Sequence, residues 1–258
     1  MRAFAPECDT EPGFDDNVGL LIGSEDCDTD TAVLCLDCTE KVIEEADSSG
    51  ARLVISHHPA IFYGLKRVTD ADPTGRMLLA AARKGISVYS AHTNLDFCDG
   101  GINDYVAALA GLTSTEPMEL DGGVKVGRIG SIRERSVSDW AAELSETFGD
   151  RHITVIGDGA KRVRRAAVVN GGGGNMRFVS RAVESGADCY VTADVPHHVR
   201  LYAAESGLPL IIMQHYCMEA IYMGKLTALL ENAAKKQGLA VRFIRSATER
   251  NPASSEVL

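Results

Sequence analysis

Apolar residues in this chain gather in short continuous runs, at 31–37, 51–56, 85–91, 126–132, 153–156, 165–170, 187–192, 208–214 and 239–245. A strand that is apolar at every position has both faces covered, so these runs predict buried strands rather than a half-solvated meander. Between them, apolar residues recur at helical spacing over 40–48, 74–84, 102–110, 138–148, 177–185, 197–205 and 217–236. Ser136 followed by Asp139 reads as a helix start, and Trp140, Leu144 and Phe148 then share one face that belongs to the core. The alternation of strand and helix predicts an α/β fold.

The order also repeats. Ala32 to Asp37, a helix, Ser49-Gly50-Ala51 and a strand ending at Ser56 correspond to Ala167 to Asn170, a helix, Ser185-Gly186-Ala187 and a strand ending at Thr192. Each half then adds a helix and a strand that ends in histidine. In this correspondence His57 and His58 align with Ala193 and Asp194. The pattern predicts two related αβ repeats, over 1–120 and 121–258, with a junction at the Asp121-Gly122-Gly123 turn. A site drawing ligands from both repeats is the expectation.

The candidate chemistry sits at the strand ends. Gly85 leads through an apolar strand to His92 with Asp96 four residues on, and Gly207 leads likewise to His215 with Glu219. A third strand ends in His57-His58-Pro59. Imidazole and carboxylate are the donors of zinc and related divalent ions, and this many exceed what one zinc uses, which points to two ions. Successive strand residues point to opposite faces, but at a strand end His57 and His58 can diverge toward two ions. Pro59 favours such an end, because it disfavours helix at His58 and removes a ladder donor. His215 and Glu219 share a helical face. The stretch Thr93 to Phe97 reads as a loop, with Asp96 a better ligand than His92, because an ionised carboxylate can bridge cations. His92 reads instead as a group behind the ligands or one that touches substrate.

Other groups are placed by position. Asp194, His197 and His198 follow a strand end, where α/β folds gather functional groups, and read as acid or base groups, with a solvated helix cap as the plainer alternative. Asn94 and Lys66 read as substrate contacts. Gly171 to Gly174, between a strand and a helix, suits either a phosphate cradle or a permissive turn. Asp16 and Asn17 suit either the pocket or the turn at Gly19.

The formal charge of −10 over 258 residues argues against nucleic acid, whose binding draws on clustered Lys and Arg. No apolar run reaches the roughly 18 residues of a membrane span, and Met1 to Glu7 lacks a signal-peptide core, so a cytoplasmic location without membrane partners is expected. Seven scattered cysteines suit free thiols in a reducing compartment, and Cys35 and Cys38 read as core packing.

Together, Asp16-Asn-Val-Gly-Leu-Leu-Ile-Gly23, Leu36-Asp-Cys-Thr-Glu40, Ser56-His-His-Pro59, Ser90-Ala-His-Thr-Asn-Leu-Asp96 and His215 with Glu219 resemble the dinuclear-metal GTP cyclohydrolase 1 type 2-like family, also called NIF-three-like. The motifs span nearly the whole chain in the family's order. The resemblance implies two intertwined αβ repeats with mixed sheets covered by helices, a ring-shaped homohexamer, and two divalent metal ions per chain on His57, His58, Asp96, His215 and Glu219. His92 falls outside that ligand set. The chain departs from the family pattern at Asp15, where Trp is usual, and at Asn170-Gly-Gly-Gly-Gly174, where Cys-Gly-Gly is frequent. Zinc, iron and manganese all accept these donors. The implied activity is metal-dependent hydrolysis of a small-molecule substrate, GTP or a related purine nucleotide. The alternative is a metal-binding, metal-delivery or regulatory protein without turnover.

Overall fold

The chain opens with β1 (Gly19–Ile22), and the first apolar runs then form β2 (Thr31–Cys35), β3 (Leu53–Ser56) and β4 (Ser87–Ser90), interleaved with α1 (Glu40–Ser48), α2 (Pro73–Lys84) and α3 (Thr93–Phe97). The computed structural model describes residues 1–11, 13–26 and 28–253. The middle of the chain gives α4 (Ile102–Leu109), β5 (Thr113–Leu120), β6 (Val124–Ser136), α5 (Val137–Phe148), β7 (Thr154–Ile156), β8 (Arg162–Val168), α6 (Met176–Glu184), β9 (Cys189–Thr192), α7 (His197–Glu205), β10 (Leu210–Ile212) and α8 (His215–Ala220). It ends in α9 (Tyr222–Lys236) and β11 (Arg242–Arg245).

Two compact units result: 1–98 with 223–252, and 99–222. The first holds a five-stranded mixed sheet in the order β1-β4-β3-β2-β11, with β2, β3, β4 and β11 parallel and β1 antiparallel on the edge. The second holds a six-stranded mixed sheet in the order β5-β6-β8-β9-β10-β7, with β8, β9 and β10 parallel and β7 antiparallel beside β10. The sequence repeat is thus a topological one: β1-β2-α1-β3-α2-β4-α3 has the path of β7-β8-α6-β9-α7-β10-α8. The division falls at Cys98, earlier than the junction expected at 121. Asp121, Gly122 and Gly123 belong to the turn of the antiparallel β5–β6 hairpin, where Gly122 and Gly123 take φ of +85° and +78°.

Local chemistry explains the element ends. Asp72 accepts from Gly75 N ahead of Pro73, and Gly85 closes α2 in the left-handed region at φ +62°. Ser136 accepts from Asp139 N at 3.0 Å, and Trp140, Leu144 and Phe148 are buried as the helical spacing predicts. In the first unit, Val33, Cys35, Val42, Ile43, Val54, Met77 and Val88 share a buried cluster. Cys38 packs against it, in keeping with a core role for both thiols.

Four elements differ from the sequence reading, the first being the short edge strand β1, which lies ahead of the first apolar run at 31–37. Thr93–Phe97 is a short helix, not a loop. The helical stretch expected over 217–236 begins at His215 and divides at Ile221 into α8 and α9. The mostly polar β5 was not foreseen, because it pairs with β6 at a sheet edge and needs few apolar residues.

Candidate metal centre

In the first unit, main-chain hydrogen bonding continues past the end of β3 at Ser56. His57 N donates to Cys35 O at 3.0 Å and His58 N to Leu36 O at 2.9 Å, so both histidines stay tied to the end of β2. A pair of hydroxyls shapes the bend at Pro59: Ser56 Oγ donates to His58 O at 2.8 Å, lies 2.8 Å from Ser90 Oγ, and Ser90 Oγ accepts from Ala60 N at 3.3 Å. The histidine rings come within 4.9 Å of each other, and the His92 ring lies 5.3 Å from His57 and 5.6 Å from His58. One ring nitrogen from each of these three lies within 4.8 Å of the others.

Each ring is held through Nδ1. That of His57 lies 2.9 Å from Ala91 O, that of His58 2.8 Å from Asp37 Oδ1, and that of His92 2.7 Å from Asp16 Oδ1. A carbonyl or carboxylate oxygen can only accept, so in the neutral ring the proton belongs on Nδ1 and the lone pair on Nε2. This is the arrangement of a metal-ligating histidine, whose second nitrogen is anchored to fix its tautomer and direction. Asp16 also accepts from Thr93 N and Thr93 Oγ1, at 3.2 and 2.6 Å. Burial alone raises its carboxyl pKa, but hydrogen bonds and charge from His92 and Thr93 outweigh this and hold it below the ordinary value. Asp96, on α3, has Oδ1 3.7 Å from His57 Nε2, beyond hydrogen-bond reach but a suitable span for two ligands of one ion.

In the second unit, His215 opens α8 directly after β10. Buried Asp150 sets that helix start, accepting from Gln214 N at 2.6 Å and Gln214 Nε2 at 3.0 Å. His215 Nδ1 lies 2.6 Å from Asp194 Oδ2, and its Nε2 lies 2.9 Å from Glu219 Oε2, one turn on. Asp194 occupies the repeat position of His58 and takes φ +49° to reach His215. Glu219 is buried and accepts from Asn170 Nδ2 at 3.0 Å through Oε1; Asn170 N in turn donates to Asn103 Oδ1 at 3.0 Å. Burial pulls the His215 pKa down, but the Glu219 charge and the hydrogen bonds to Asp194 and Glu219 raise it to about 11. Two carboxylates thus converge on one imidazole with a strong preference for positive charge there.

The glycine-rich turn makes room for this pair. At Gly171, φ is +55° and a Cβ would stand 1.9 Å from Glu219 Oε1 and 3.0 Å from His215 Nε2. At Gly173 and Gly174 a Cβ would meet Thr192 Oγ1 at 2.5 Å and Ala193 O at 2.4 Å. These glycines serve close packing at the ends of β8 and β9. The donor set fits a divalent ion in chemistry: imidazole nitrogens presented by Nε2, ionisable carboxylates, and a backbone stripped of side chain where Glu219 sits.

The remaining sequence candidates take other positions. Asn94 is fully buried, and its Nδ2 holds Ala5 O at 2.9 Å. Lys66 is exposed on the segment after β3, and His197 and His198 are exposed in the first turn of α7. Asp194 holds His215. Asp37, Asp150 and Asn170 were missed as holders of the site; the sequence signals were Asp37, inside the Leu36 to Glu40 motif, and Asn170, at the head of the Gly171 to Gly174 turn.

Fold and site thus define a mixed α/β protein with histidine and carboxylate clusters suited to metal binding. The chain belongs to the Duf34/NIF3 (NGG1p interacting factor 3) family, whose sequence profile matches residues 3–252. It is 31% identical over 244 residues to a Clostridium perfringens protein named GTP cyclohydrolase 1 type 2 homolog, covering 93% of this chain and 91% of that one. It is 30% identical over 253 residues to a Schizosaccharomyces pombe protein named Protein NIF3 homolog, covering 92% and 89%. Its fold matches that of a Bacillus cereus protein related to NIF3 with a TM-score of 0.90 at 22% identity, covering 98% and 96% of the two chains. Among the described residues, no helix is long and apolar enough to cross a membrane.

Proposed function

We propose that this protein is a dinuclear metal-dependent hydrolase acting on a purine nucleotide, with His57, His58, Asp96, His215 and Glu219 holding two divalent ions per chain. The observation that carries this reading is the common anchoring of the histidines. His57 and His58, after β3, and His215, after β10, each have Nδ1 against an oxygen acceptor, which leaves Nε2 as the ligand atom; that of His215 lies 2.9 Å from Glu219 Oε2, the carboxylate that would share its ion. Nitrogen and carboxylate donors in this mixture suit zinc, iron or manganese. Ions in such a set supply the Lewis acidity that hydrolysis requires.

The chain's own residues have distinct parts in this proposal. Asp37 and Asp194 hold the rings of His58 and His215, while Asp96 and Glu219 offset cationic charge. Asp16 keeps a proton on His92 Nδ1, which leaves Nε2 able to take a proton from a reacting group, so His92 is a candidate base or substrate contact. His197 and His198, exposed at the start of α7, are further acid–base candidates, and Asn94 and Lys66 further substrate contacts. The guanine nucleotide comes from the name carried by the relatives at about 30% identity. A homo-oligomer, hexameric by family resemblance, belongs to the same proposal and is tested by light scattering.

The test is metal analysis of the purified protein followed by incubation with GTP, reading loss of the guanine absorbance. Two ions per chain and turnover that vanishes in His58→Ala and Glu219→Ala are expected. Stoichiometric metal with no turnover of any purine nucleotide would instead favour a metal-binding or delivery role.

A further inference from the structure

Beside His58, at the carboxyl ends of the neighbouring parallel strands β2 and β3, the first unit has a cavity of about 800 Å³. Ligands of α/β sheets bind at such strand ends, and small-molecule sites occupy about 300–1,000 Å³. Its walls have two characters. One is aromatic. The Phe62 and Tyr63 rings lie 5.1 Å apart, and Phe62 also stands 5.7 Å from His92 and 5.9 Å from Phe14. Tyr63 is 76% exposed and Phe62 38%, so large ring faces remain in water next to the histidine cluster. Asn17 Nδ2 donates to Ile61 O at 2.7 Å and ties down the segment that carries them.

The other wall is charged. Lys41, Arg76 and Arg250 line it together with Asp37, Glu40 and Glu249. Each of the three acids is engaged: Asp37 with His58, Glu40 with Arg76 Nε at 3.3 Å, and Glu249 with Leu36 N and Asp37 N at 2.6 and 2.7 Å. Arg250 donates to the main-chain oxygens of Ala247 and Glu249, and neither Lys41 nor Arg250 is matched by an ion pair among the described residues. Lys41 and Arg250 therefore face the cavity with no ion pair among the described residues holding their charged ends, while each acid is hydrogen-bonded to another group.

We propose that this cavity seats a planar aromatic molecule bearing an anionic group, with Phe62 and Tyr63 against the ring and Lys41 and Arg250 against the anion. The term substrate for this molecule rests on the hydrolase reading; the recognition itself does not. Lys66, the cation suggested by sequence, lies outside the lining residues of this cavity.

Equilibrium binding of GTP, guanosine and inorganic tripolyphosphate to the metal-loaded protein tests the assignment, alongside Tyr63→Ala, Phe62→Leu and the double variant Lys41→Ala/Arg250→Ala. Stacking contacts of this kind predict a loss of about tenfold or more for GTP and guanosine in Tyr63→Ala, with tripolyphosphate unaffected. The double variant weakens GTP and tripolyphosphate but not guanosine, and metal content stays at the wild-type value throughout. Variants that bind all three probes like wild type overturn the proposal, as does a wild-type protein that binds neither GTP nor guanosine at millimolar concentration. Binding with this pattern but without turnover supports the cavity and removes the hydrolase reading. Turnover with KM unchanged in every variant does the reverse.

Discussion

Asp37 Oδ1 lies 2.8 Å from His58 Nδ1, joining the second residue after β2 to the second residue after β3. The carboxylate fixes which nitrogen carries the proton and lends the ring basicity, so it acts on metal affinity without touching the metal. Replacing Asp37 with Ala should lower metal affinity about 10- to 100-fold while leaving the far-ultraviolet circular dichroism unchanged. Calorimetric titration of the stripped protein with zinc or manganese measures it.

Gly171 and Gly172 are neighbours with opposite tolerance. A methyl group at Gly171 collides with Glu219 and must also adopt φ +55°, whereas one at Gly172 meets nothing within 4 Å. Gly171→Ala should cost about 2 kcal/mol or more through strain and overpacking, and should reduce metal retention. Gly172→Ala should differ from wild type by less than about 1 kcal/mol in urea unfolding.

A proton and a cation compete for His215. Its pKa stands near 11, so below that value an incoming ion must displace the proton, and apparent affinity rises with pH by up to about tenfold per unit. Proton release shows as a dependence of the binding heat on the ionisation enthalpy of the buffer. In the stripped protein the sign is opposite: a raised histidine pKa contributes stability that is complete below the ordinary value near 6.5 and is lost as pH climbs through about 11.

Glu45 anchors the end of the described chain. Its carboxylate accepts from Ser246 Oγ at 2.5 Å, Ala247 N at 2.8 Å and Thr248 Oγ1 at 2.8 Å. Burial favours the neutral form, yet these hydrogen bonds prevail and hold its pKa below 4.5. A depressed carboxyl contributes stability that is present above the unfolded-state value and lost as pH falls through the folded one. Amide exchange at Ala247 and Thr248, corrected for intrinsic rate, should therefore accelerate on acidification below about pH 4.5, and Glu45→Gln should show faster exchange already at neutral pH.

Much of the scaffold was legible because the signals are local. Glu40–Ser48 and His197–Glu205 match their sequence-derived bounds, since apolar spacing and flanking turn residues act over a few positions. Thr93–Phe97 was misread because one turn of helix is too short to show a period. Chain connectivity misled too: two glycines after Asp121 look like a boundary, but in space they turn a hairpin within a single sheet.

The amino-acid order by itself determined the strand-and-helix alternation, the internal repeat, and the presence of histidines and carboxylates after particular strands, because each of these is written in neighbouring residues. Only the tertiary structure decided what holds those groups. Asp16 reaches His92 across 76 positions, and Asn170 reaches Glu219 across 49. A tautomer, a cavity wall or a forbidden methyl depends on which distant oxygen or backbone comes near, and that is set by how strands pair and helices pack, not by spacing along the chain.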